Sequence, residues 1–99
     1  MVTNGWKTLP IRIRPDGSVD NEAVNISKSR HEQVAWRSEN GPFEIQFQPS
    51  PFEVQTFHVP ASGDVTSGPV RGEVGTYAYT ITSLSQSYAS ADPLIIVKP

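Results

Sequence analysis

Apolar residues recur at every second position in several short stretches of this chain, the period of a strand with one buried face. Ile11 and Ile13 alternate with Arg12 and Arg14, Val24 and Ile26 with Asn25 and Ser27, and Val34 and Trp36 with Ala35 and Arg37. Phe43, Ile45 and Phe47 alternate with Glu44, Gln46 and Gln48, Phe57 and Val59 flank His58, and Tyr77, Tyr79 and Ile81 form a further stripe. Each stretch predicts a strand whose named apolar residues face a core. Leu94, Ile95, Ile96 and Val97 are continuously apolar, which predicts a strand covered on both faces or one that closes a sandwich.

Breakers separate these stretches. Pro15-Asp16-Gly17 predicts a turn, because proline presets its dihedral and glycine accepts positive φ. Residues 38–42 read as a loop, and Pro49-Ser50-Pro51 ends the strand before it, since proline has no N–H for a ladder. Residues 61–69 read as loop, residues 70–72 as a brief strand, and residues 1–9 as a flexible or edge lead-in. The expected architecture is all-β, a Greek-key β-sandwich of about seven or eight strands in one domain spanning residues 1–99.

Composition narrows the function classes. The 99 residues carry nine prolines and seven glycines spread along the chain, which leaves little room for helices. A net charge of −2 exerts no broad pull on nucleic acid or anionic lipid, so no nucleic-acid partner is expected. Arg12, Arg14, Lys28, Arg30 and Arg37 are interleaved with Asp16, Asp20, Glu22, Glu32 and Glu39, the pattern of a mixed, solvated surface. No stretch approaches the ~18 apolar residues of a membrane span. The N-terminus has no apolar signal core. A cytoplasmic location is expected if Met1 is the natural start.

Cysteine is absent, which removes disulfides, thiol nucleophiles, cysteine-bound zinc and any thiolate-copper site. His31 and His58 are the two imidazoles, and a metal site would need both to converge with a third ligand; two surface histidines are the simpler reading. Asp16, Ser18, Asp20 and Glu22 alternate like a calcium loop, but glycine and glutamate sit at the wrong steps, so the segment reads as a turn. Ser83, Ser85, Ser87 and Ser90 lack a Gly-x-Ser-x-Gly elbow. Asn25-Ile26-Ser27 fits a glycosylation sequon but would need a secretory route. The chain is not expected to be an enzyme and no cofactor is expected.

The succession Val24-Asn25-Ile26, Gln33-Val34-Ala35-Trp36-Arg37, Gly41-Pro42-Phe43, Gly75-Thr76-Tyr77-Ala78-Tyr79 and Asp92 onward resembles the cupredoxins, from about residue 22 to the end. In that family a loop delivers the first copper histidine and a Gly-x-Tyr-x-Tyr-x-Cys strand delivers a thiolate. Here Phe43 stands at the histidine position and Ile81 at the cysteine position, and residues 82–93 hold neither histidine nor methionine. The resemblance implies a copper-free relative that keeps the apolar docking end of the family. Pro42, Phe43, Phe52 and Tyr88 are the expected contacts for a protein partner at that end. The alternative is a small-molecule or carbohydrate binder, using Trp6, Trp36 or Tyr88 as a stacking platform beside Gln46, Gln48 and Gln55.

Overall fold

A computed structural model describes residues 7–39, 41–84 and 93–99. The chain forms β1 (Lys7–Ile13), β2 (Ala23–Ser27), β3 (Glu32–Ser38), β4 (Phe43–Phe47), β5 (Thr56–Val59), β6 (Gly63–Thr66), β7 (Gly75–Ser83) and β8 (Leu94–Lys98). These build a three-stranded sheet in the order β1-β3-β6 and a five-stranded sheet in the order β2-β8-β7-β4-β5. The chain crosses between the sheets repeatedly, so β1 lies parallel to β3 and β2 parallel to β8 while the other pairs are antiparallel. This is the expected all-β sandwich.

Period-two alternation survives folding almost unchanged. Ile11, Ile13, Val24, Ile26, Val34, Trp36, Phe43, Ile45, Phe47, Phe57, Val59, Tyr79 and Ile81 are all buried in one core. Trp36 sits at its centre, with ring centroids of Phe57, Tyr79, Phe47 and Phe52 at 5.1, 5.6, 6.0 and 6.4 Å. Each such side chain contributes about 1.5–3 kcal/mol on burial, so this cluster dominates cohesion.

Four expectations change in detail. The last strand is not covered on both faces: Ile95 and Val97 are buried, whereas Leu94 and Ile96 are half-buried on the outer side. Residues 61–69 contain β6, which offers only Val65 as an apolar residue and is held by the ladder to β3 rather than by its own pattern. Val70 makes an isolated bridge to Phe52 rather than a strand. β1 begins at Lys7, inside the stretch read as lead-in, and is an edge strand.

The free side of β1 is closed along its second half. Pro10 has no N–H to offer, and Arg12 N–H donates to the Asp20 carboxylate at 3.0 Å while Asp20 N–H donates to the Arg12 carbonyl at 3.1 Å. Edge strands left open invite pairing with other chains, and this one is guarded by its own following turn.

Candidate functional site

Among the described residues, the ladder registers place 14–22, 39, 41–42, 60–62 and 84 at one end of the sandwich. Residues 28–31, 48–55 and 67–74 connect strands at the other end. Phe43 opens β4 at the first end, paired with Val59 and Ser83, and Ile81 pairs with Ile45 one inward step along. Phe43 is 2% exposed and Ile81 is 0% exposed, so both point into the core. The two positions that the resemblance assigns to copper ligands are therefore packed with hydrocarbon.

Pro42 is half-buried, and its carbonyl accepts the Leu84 N–H at 3.1 Å, which ties the β3–β4 connection to the start of the β7–β8 connection. Leu84 is 52% exposed. Leu84 is the large apolar side chain that this end exposes among the described residues, and Pro42 is joined to it. The four expected contact residues are not brought together as a patch. Phe43 is core, and Phe52 is a buried residue beyond the far end of β4, edge-on to Phe47 at 5.7 Å. The physical reason is that both rings gain more from burial in the core than a solvent-facing position would give. Tyr88 and Trp6 lie outside the described residues. Leu84 escaped the sequence reading because it falls on the outward parity of β7, after Thr80 and Thr82, where alternation leads one to expect a polar residue.

The histidines lie on separate elements. His31 sits in the β2–β3 connection with φ of 57°, and its N–H donates to the Lys28 carbonyl at 3.1 Å. His58 faces outward from β5, its Nε2 3.4 Å from the Glu44 carboxylate across the ladder. Among the described residues no three His, Asp or Glu side chains gather as metal ligands would. The segment that alternates like a calcium loop uses two of its carboxylates as hydrogen-bond acceptors for neighbouring chain. Asp16 accepts from the Ser18 N–H at 3.0 Å and hydroxyl at 2.7 Å, and these bonds hold its carboxyl below the usual range. Asp20 is committed to Arg12, so the segment fastens a turn.

Trp36 is 0% exposed and cannot serve as a stacking platform, which corrects that part of the carbohydrate reading. Its indole Nε1 and the Tyr79 hydroxyl are buried without a hydrogen-bond partner. Gln46 and Gln48 do face solvent. With Ala78 and Thr80 they line an open hollow of about 200 Å³ on the outer face of the five-stranded sheet. Alternation alone turned the two glutamines outward, but their meeting with Thr80 depends on the β4–β7 register, which no local pattern announces.

Comparisons with protein-family models and with curated proteins find no match. Among solved structures, the chain is similar to the purple cupredoxin of Nitrosopumilus maritimus, with a TM-score of 0.61 and 17% identity over 91% of this chain and 99% of that one. A thiolate-copper centre requires a cysteine and two imidazoles in one place. This chain has no cysteine, and Phe43 and Ile81, which the resemblance sets at the ligand positions, are buried hydrocarbon, so its residues do not fit such a centre. The chain has the cupredoxin-like fold, built around a core of aromatic and aliphatic side chains.

Proposed function

We propose that this domain is a non-catalytic binding or assembly module that docks a protein partner through the end of the sandwich carrying Pro42 and Leu84. The observation that carries the reading is the apolar plug under that end: Phe43 and Ile81 make the interior inert while Leu84 stays 52% exposed above it. An exposed leucine fixed to a half-buried proline by a backbone hydrogen bond is a preordered apolar contact, and preordering lowers the entropic cost of docking. Among the described residues the Ser18 hydroxyl on the Asp16 carboxylate belongs to an exposed turn, and His58, paired with Glu44, lies in the open on a sheet face. Such a set fails the geometric requirements of an active site.

A photo-crosslinking residue at position 84, compared with one at Thr76 on the outer sheet face, tests this in the native host. The expected result is a discrete protein adduct from position 84 only, lost on Leu84→Asp with an unchanged melting temperature. Equal labelling from both positions, or an adduct that survives Leu84→Asp, overturns the proposal.

A further inference from the structure

We propose that the hollow bounded by Gln46, Gln48, Ala78 and Thr80 is a binding site for a neutral saccharide. It lies on the outer face of the five-stranded sheet, apart from the Pro42–Leu84 end, and stands or falls independently of the docking proposal.

The local geometry makes the hollow. Gln46 is level with Thr80 across the β4–β7 ladder and with Thr56 across the β4–β5 ladder. Gln48 follows one same-face step further on. Ala78 is the short side chain beside them and gives the floor its apolar part. Two long carboxamides around a missing side chain leave a depression of about 200 Å³, the scale of one sugar ring rather than of a larger ligand.

The chemistry selects the ligand class. The Gln46 and Gln48 carboxamides and the Thr80 hydroxyl have no hydrogen-bond partner within the protein among the described residues, so their donors and acceptors are all available. Each carboxamide offers two donors and an acceptor, a set that matches the paired donor and acceptor character of vicinal hydroxyls. No charged residue lines the hollow, which argues against phosphate or carboxylate ligands. Glu44 and His58, further along the same face, are occupied with each other at 3.4 Å. A sugar ring is itself two-sided, with a C–H face suited to Ala78 and a hydroxyl rim suited to Gln46, Gln48 and Thr80. The site is open, so weak affinity is expected.

The test is a titration of isotope-labelled protein with maltotriose, with cellotriose and with trigalacturonic acid, followed by chemical shifts. The expected result is a saturable shift of the Gln46 and Gln48 side-chain amides and of the Ala78 and Thr80 backbone amides with at least one neutral trisaccharide, half-complete at millimolar concentration. Ala78→Leu, which fills the floor of an outward-facing position, abolishes the shift while the remaining spectrum stays folded; Gln46→Ala weakens it several-fold. Absence of saturable shifts with both neutral sugars overturns the proposal. Shifts that persist in Ala78→Leu, or a preference for the acidic sugar, overturn it as well.

Discussion

Tyr79→Phe should stabilise this protein, and should do so increasingly as the solution becomes alkaline. The ring of Tyr79 is 1% exposed and packs 5.0 Å from Phe47 and 5.6 Å from Trp36. Phenylalanine keeps those contacts. What it removes is a hydroxyl that is buried without a hydrogen-bond partner. An orphaned buried polar group costs about 1–3 kcal/mol, so the variant gains that amount near neutral pH. For a domain of this size, each kcal/mol moves the melting temperature by roughly 4–8 °C.

The pH dependence follows from the same burial. Loss of solvation pushes the Tyr79 phenol from 10.0 up to about 12; the indole of Trp36 acts in the opposite direction without completing a hydrogen bond, and the charge of Asp20 raises it further. Below pH 10 the phenol is protonated in both folded and unfolded chains. As pH rises from 10 toward 12, the unfolded chain releases this proton while the folded chain keeps it, so the wild type loses stability, by about 2 kcal/mol over the window. Tyr79→Phe has no such loss. Urea denaturation of both proteins from pH 7 to 11.5 therefore gives a stability difference that favours the variant at pH 7 and widens above pH 10. A variant less stable than wild type at neutral pH would refute the reasoning by showing that the hydroxyl is satisfied, as by an ordered water. Parallel pH profiles would refute it by showing that this phenol is not the buried titrating group.

Three further outcomes are expected. Gly72→Ala places a Cβ 2.8 Å from the Tyr77 hydroxyl and 3.1 Å from the Pro51 Cα, displacing the hydroxyl that donates to the Glu73 carbonyl at 2.7 Å; denaturation should show a loss of about 1–3 kcal/mol, partly restored by adding Tyr77→Phe. Glu32→Ala strands the Ser27 N–H that now donates to its carboxylate at 2.7 Å, at a cost of about 1.5–3 kcal/mol. Glu32→Gln keeps an acceptor there, and denaturation should show a smaller loss. The double variant Phe43→His with Ile81→Cys should develop no intense blue absorbance on cupric titration, because residues 82–93 supply no second imidazole; such a band would show that a ligand is recruited from elsewhere.

The strands that could be read from the sequence were those whose inner residues are large. Ile11, Trp36, Phe43 and Phe57 mark their strands because an alternating stripe of bulky side chains has little choice but to face a core. β6 gave no such signal, since Gly63, Asp64 and Thr66 flank a single half-buried valine and the strand exists through its pairing with β3. Phe52 shows the complementary failure. Lying between prolines in a connection, it had the sequence profile of a surface aromatic, yet the bridge to Val70 and the hydrogen bonds from Arg71 and Gly72 to the Pro51 carbonyl fold its loop over Trp36. The grouping of Gln46 with Thr80, likewise, is a property of strand register between segments more than thirty residues apart, and local alternation carries no register.

Where chemistry can happen in this fold follows from which way the residues of β4 and β7 point. Phe43, Ile45, Phe47, Tyr79, Ile81 and Ser83 all face inward, so any ligand set built at those positions would occupy volume that the aromatic cluster now uses. A polar site there would give up several side chains each worth about 1.5–3 kcal/mol of burial, and a metal would have to return that energy. This chain takes the other solution and closes its interior with hydrocarbon. The two proposed sites then draw on the outer layer, which alternation supplies from the same two strands: Gln46 and Thr80 between the inward residues, and Leu84 just past the last of them. On these proposals the hydrocarbon that fills the interior is also the support on which the outer face and the loop end are built.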